Sequence, residues 1–265
     1  MLLGLHHVTA LAGQVQANFD HYTQAVGLRL VKRTVNFDDP GTYHFYFGDA
    51  TGTPGTLLTF FPGFQRPSRR GAGQAVSVGY TLPKSGKRPA DPDGLDLQWT
   101  DGGSPALHSV TLCERDLEPT AAFLAMLGFQ HANTQDNRHR FEMAGARIDV
   151  LHEPDTERGK LGAGAIHHVA FRVADEASQL DWRDRLVSAG VRVSPVKDRG
   201  YFHSIYFREP GGVLFEIATD GPGFLIDEPA EALGTSLCLP PWLASTRESI
   251  EARLPHLRQF AETPL

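Results

Sequence analysis

"HHVTAL" at residues 6–11 returns as "HHVAFR" at residues 167–172. A lone histidine in an apolar, β-prone run is most often a hydrogen-bonded core residue. A histidine pair written twice into the same run points instead to copies of one structural unit, and repeats decide architecture. Working outward from the first run, "GQVQANFDHYTQAVGLRLV" (13–31) places Ala17, Phe19, Tyr22, Ala25 and Val26 on an approximate helical stripe closed by Gly27. Two β-like runs follow, "TYHFYFGD" (42–49) and "TLLTFFP" (56–62). The unit reads strand, helix, strands.

The same order returns from residue 166: "IHHVAFRV", the helix "EASQLDWRDRLVSAGV", "YFHSIYFR", the turn "EPGG" and "VLFEIATD". Another copy runs from "LHSVTLCE" (107–114) through the helix "EPTAAFLAMLGFQ" to "RHRFEMAG" and "RIDVLHE". Between these copies, "AVSVGYTLP" (75–83) matches an opening strand and "DPDGLDLQWT" (91–100) a closing one, and "KSGKRPA" between them has no room for a helix. This second unit has lost its middle. The division expected is 1–100 (one complete and one truncated module), 101–220 (two modules) and 221–265, an irregular tail with a terminal helix in "STRESIEARLPHLRQF" (245–260).

Composition narrows the function. The 265 residues carry 25 Lys+Arg against 31 Asp+Glu, a net charge of -6 with no basic run, which argues against nucleic acid or an anionic membrane as partner. No stretch approaches a membrane span, and "MLLGLHH" lacks the basic and apolar regions of a signal peptide, so a cytoplasmic protein is expected. Only Cys113 and Cys238 are present, without CxxC spacing, which fits a reducing compartment and excludes a thiolate zinc site.

Strand residues alternate faces, so His7 shares a face with Thr9, and His168 with Ala170, while His6 and His167 point the other way. Glu216 lies in the apolar run "VLFEIATD", where an ionised group is costly unless paired. Two imidazoles and one carboxylate form the facial set that suits non-haem Fe(II), with positions left for substrate and O2. The place of Tyr206 depends on the hairpin. A three-residue loop at 209–211 pairs Ser204 with Glu216 and puts Tyr206 on the glutamate's face; a two-residue turn at 210–211 pairs Ile205 with Glu216 and sends Tyr206 away.

"GLHHVTAL", "GAIHHVAFRV", "RGYFHSIYFREPGGVLFEIATD", "GPGFLIDEPAEALG" and "LPPWL" together resemble the hydroquinone-type ring-cleaving dioxygenases of the vicinal-oxygen-chelate superfamily, which also holds glyoxalase I and the extradiol dioxygenases. The resemblance spans nearly the whole chain and is most specific at 199–224. It implies an α+β fold of βαβββ modules paired into two open barrels, with Fe(II), or Mn(II) in its place, in one of them. It implies His7, His168 and Glu216 as metal ligands and catalytic roles for His6, Thr9, His167, Arg199 and Tyr206. The partners implied are a small hydroquinone- or catechol-like aromatic substrate and O2, and the assembly a homodimer. The sequence departs from the family in its shortened second module, which puts pocket shape in doubt. Two alternatives stand beside this reading. A glyoxalase-like lyase or isomerase needs a fourth ligand, but Thr59 aligns with Glu216 at that position; a non-catalytic binding protein has no need of the intact triad. His44, His108, His152 and His203 are left without a role and read as structural; the Phe and Tyr residues of 43–47 and 60–64 read as core, with Phe60, Phe61 and Phe64 as the candidates to line the pocket.

Overall fold

The computed structural model describes residues 1–258. The first module is β1 (Leu5–Ala12), α1 (Val15–Asp20) continued by a π-type segment to Val26, β2 (Arg29–Asn36), β3 (Asp39–Gly48) and β4 (Leu57–Pro62). The second keeps only β5 (Gln74–Pro83) and β6 (Leu97–Gly102). The third is β7 (Ala106–Glu114), α2 (Leu117–Met126), β8 (Gln130–Gln135), β9 (Arg138–Met143) and β10 (Ala146–His152). The fourth is β11 (Ile166–Val173), α3 (Glu176–Ser188), β12 (Lys197–Asp198), β13 (Phe202–Arg208) and β14 (Leu214–Pro222).

In every module the opening and closing strands pair in parallel: β1 with β4, β5 with β6, β7 with β10 and β11 with β14. Module two retains that parallel pair and lacks everything normally between its strands. β2 and β8 are additions to the sequence reading. Their runs, "RLVKRTVN" and "QHANTQ", lack a clean apolar alternation because both are sheet edges.

The first and fourth modules share one eight-stranded sheet, β12-β13-β14-β11-β1-β4-β3-β2; the second and third share a six-stranded one, β6-β5-β7-β10-β9-β8. The larger sheet curls. Four strands separate β3 from β13, which in a flat sheet would place them about 24 Å apart, yet the rings of Tyr46 and Phe202 meet at 6.4 Å. The convex side takes the helices: Phe19, Tyr22, Trp182 and Leu186 join Val8, Val169 and Ile205 in one core. Each such side chain contributes about 2 kcal/mol on burial.

Local signals set the helices. The side chain of Asp175 accepts the backbone N–H of Ser178 at 2.8 Å, capping α3. Gln179, buried in that helix, donates to the carbonyls of His203 and Ile217, fixing α3 to the sheet. Gly27, at φ 84°, supplies the left-handed residue that ends the first helix.

The tail closes the β2 edge: the backbone N–H of Cys238 donates to the Arg33 carbonyl, and the buried Lys32 ammonium reaches Asp227 and Glu228. The terminal helix is shorter than expected. α4 spans Arg247–Arg253 and Leu254 is already extended, because Pro255 disfavours helix at the residue before it; residues 259 and 260 lie outside the described residues. Among the described residues no helix is long and apolar enough to cross a membrane.

Candidate metal centre

Register brings three side chains together. His7 pairs with Ala170 and Thr9 with His168 across β1–β11, while Ala170 pairs with Glu216 across β11–β14. Paired residues share a face, so His7, His168 and Glu216 all point into the cup, and all are buried. Nε2 of His7 lies 3.2 Å from Nε2 of His168, and Glu216 Oε2 lies 3.4 and 3.1 Å from them. Donors bound at right angles at about 2.1 Å to one cation stand about 3.0 Å apart, or about 3.4 Å if tetrahedral. The set fits a divalent metal.

Glu216 supports the same conclusion. Its Oε1 accepts from the Ser204 hydroxyl, but its buried Oε2 accepts no hydrogen bond. Burial opposes its ionisation, yet the neighbouring His7 and His168 outweigh burial and hold the carboxyl well below its usual range. It is an anion with one oxygen free for a cation. Asp227, Glu228 and Cys238 also lie close together, but they already surround the Lys32 ammonium.

The paired histidines meet despite strand alternation. A register irregularity in β1 between Leu5 and His7 lets His6 Nδ1 approach His7 Nδ1 at 2.9 Å. His6 Nε2 lies 3.2 Å from the Thr219 carbonyl, which can only accept. Burial, then His7, push the His6 pKa down to about 3, so its ring is neutral. One proton on a neutral ring then sits on Nε2, leaving Nδ1 to accept from His7 Nδ1–H. His7 Nε2 is then the ring atom that faces Glu216 and is offered to a cation. His167 repeats the arrangement at 2.7 Å from His168 Nδ1, and burial likewise pushes its pKa down to about 3.

The hairpin takes neither expected register. Tyr206 pairs with Glu216 and Arg208 with Leu214, around a five-residue loop held by the Glu209 carboxylate, which accepts from the backbone of Gly211 and Val213. The shift is two residues, so Tyr206 stays on the glutamate's face. Arg199 donates from Nε to the Tyr206 hydroxyl at 3.0 Å and from a terminal nitrogen to Asp38 at 2.8 Å. Burial, then Glu216, raise the Tyr206 pKa well above its usual value, which keeps its proton in place as a donor.

Thr9 sits elsewhere than expected of a substrate contact. Its hydroxyl bonds Thr59 at 2.7 Å, and Thr59 bonds His44 Nε2 at 3.0 Å. Thr59 pairs with Thr9, as Glu216 does with Ala170, so a threonine occupies the position pseudo-symmetric to the glutamate.

A cavity of about 370 Å³ opens beside these residues, walled by His44, Tyr46, Phe61, His167, His168, Phe202 and Tyr206, with Asp38, Lys197 and Arg199 also lining it. Phe61 is a wall residue, whereas Phe60 is core and Phe64 is exposed. His44 and Tyr46 were missed. The signal was available, because Tyr46 pairs with Thr59 as Tyr206 pairs with Glu216.

Comparison with known proteins agrees with this architecture. The model of the glyoxalase/bleomycin resistance protein/dioxygenase superfamily matches residues 106–217. A Bacillus subtilis (strain 168) protein provisionally named ring-cleaving dioxygenase MhqO is 39% identical, with 95% of this chain and 96% of that protein covered. The alignment runs to 298 positions against 265 residues here, in keeping with a shortened module. The chlorohydroquinone/hydroquinone 1,2-dioxygenase of Sphingobium indicum is 32% identical over 93% of this chain and 94% of its own length. A crystal structure from Bacillus subtilis, titled as that of a provisional dioxygenase, superposes with a TM-score of 0.89 at 38% identity, covering 97% of this chain and 98% of that one. Glyoxalase I from Zea mays shares the fold, with a TM-score of 0.60 at 15% identity over 82% of this chain and 92% of its own. The chain belongs to the glyoxalase/bleomycin resistance protein/dioxygenase superfamily, beside its hydroquinone-type ring-cleaving dioxygenases.

Proposed function

We propose that the protein is an Fe(II)-dependent dioxygenase that opens the ring of a hydroquinone- or catechol-like substrate with O2, with His7, His168 and Glu216 as ligands. The observation that carries this reading is the donor set itself, three buried atoms 3.1–3.4 Å apart, with His168 also lining an aromatic cavity and no fourth carboxylate at Thr59. A bound Fe(II) supplies the electron route between substrate and O2 that spin-paired organic molecules lack.

The chain's own residues do the rest. Phe61, Tyr46 and Phe202 wall the cavity for a flat ring and exclude water. Tyr206, its oxygen held by Arg199, directs its proton at charge developing on the substrate. With His168 Nε2 given to the metal, His168 Nδ1–H donates to His167, leaving His167 protonated at Nε2 beside the cavity. Thr9 acts through Thr59 to orient His44. The glyoxalase-like reading lacks the carboxylate that would move a proton, since Thr59 stands in its place.

Anaerobic loading with Fe(II), and separately with Mn(II), followed by oxygen uptake with a panel of hydroquinones and catechols, tests the proposal. Uptake coupled to ring-opened product and lost in His168→Ala is expected. Stoichiometric metal binding with no uptake across the panel would overturn the dioxygenase reading.

A further inference from the structure

We propose that the concave face of the smaller sheet is a binding site for an oxyanion, a phosphate or carboxylate group, built where the larger sheet builds its metal centre. Ser77 pairs with Thr111 and Gly79 with Ser109 across β5–β7, and Thr111 pairs with Asp149 across β7–β10. Matching this register to β1–β11–β14 puts Ser77 at the place of His7, Ser109 at that of His168 and Asp149 at that of Glu216. The carboxylate remains, and both imidazoles have become hydroxyls.

Arginines take the place of a metal. Arg138 reaches Asp149 Oδ2 at 3.0 Å, Arg140 reaches Oδ1 at 3.1 Å, and Arg147 Nε stops 3.6 Å from Oδ2. Arg147 also donates to Ser109 and Arg138 to Thr111. Three guanidiniums against one buried carboxylate leave two positive charges over. The other carboxylates on this face join none of these contacts: Glu142 opposite Arg147 and Asp96 level with Ser77 are exposed, and Glu153 is paired with Arg70.

Two further groups on this face await an acceptor or donor: Arg147 Nε is buried without a hydrogen bond, and the hydroxyl of Ser77, 5% exposed, has no partner. The arginine side chains are 30–39% exposed, so their remaining N–H groups are accessible. Nothing in module two corresponds to β2 and β3, so no strand of that module stands opposite β9 as β3 stands opposite β13. Forked guanidinium donors match phosphate and carboxylate oxygens.

The test titrates the full-length protein with inorganic phosphate and, separately, with succinate at constant ionic strength, by calorimetry and by phosphorus NMR line width. Saturable binding of at least one probe is expected, weakened roughly tenfold or more in Arg147→Gln, which leaves Asp149 paired to Arg138 and Arg140. His168→Ala should leave it unchanged. Phosphate alone binding assigns a phosphoryl ligand, and succinate alone a carboxylate. Should Arg147→Gln fail to fold, Ser77→Asp adds a repelling charge on the same face. The proposal is overturned by no saturable binding of either probe, by binding indifferent to the substitution on this face, or by binding that is lost with His168→Ala.

Discussion

The two sheets use one module and one register, yet handle a buried carboxylate in opposite ways. In the larger sheet Glu216 faces two imidazoles and keeps an oxygen without a hydrogen bond; in the smaller sheet Asp149, at the matching position, is covered by three guanidiniums. The fold therefore supplies the meeting point of three strands, and the residues placed there decide whether it attracts a cation or an anion. Symmetry of backbone does not carry over into symmetry of chemistry.

The same chemical change in each half should break this comparison most sharply. Glu216→Gln keeps the shape and removes the charge, so Fe(II) affinity should fall by more than about a hundredfold and oxygen uptake should vanish. Asp149→Asn removes the counter-charge of three arginines and should lower stability by about 3 kcal/mol while metal stoichiometry stays the same. Metal analysis and urea unfolding of the two variants check this together. Equal metal loss in both would mean that the halves do not act separately.

A smaller effect sharpens the role of the paired histidines. His6 does not line the cavity, although its ring packs on the far side of the wall residue Phe202 at 4.9 Å, and it sets the proton of His7, so His6→Ala should weaken Fe(II) binding by about 10- to 100-fold with a far smaller change in the substrate KM of metal-saturated enzyme. Binding unchanged in His6→Ala, measured by competition with a chelator, would remove the orienting role.

Much of this was legible in the sequence because strand alternation and repetition are one-dimensional signals. The His7, His168 and Glu216 set, and the truncation of module two, followed from them. The contacts of His6 were not legible, because a single irregular step in β1 reverses what an ideal pleat predicts. The hairpin register escaped because Glu209 holds the loop with its side chain, so loop length was not set by Pro210 and the glycines alone. The repeat sets Tyr46 level with Tyr206, but that both meet one cavity, with His44 beside them, follows from curling, which brings β3 to face β13 and is a property of the whole sheet.

The seam between the halves gives the smallest expected effect and the one set by pH. Glu114, at the end of β7, is buried with Oε1 unpartnered, while Glu209 beyond it has its oxygens taken by Thr120, Gly211 and Val213. Burial, then Glu209, push the Glu114 pKa up to about 8. A raised carboxyl pKa means that the folded state holds a proton the unfolded chain has released, so its contribution is fully present below the unfolded value near 4.5 and is lost as pH rises through 8. Glu114→Gln mimics the protonated form. It should leave Tm unchanged at about pH 4 and raise it at pH 9 by about 2–4 °C, on the order of 1 kcal/mol. A Tm difference that is the same at both pH values would show that Glu114 meets no electrostatic cost at the junction, and that the two halves join there without opposing charge.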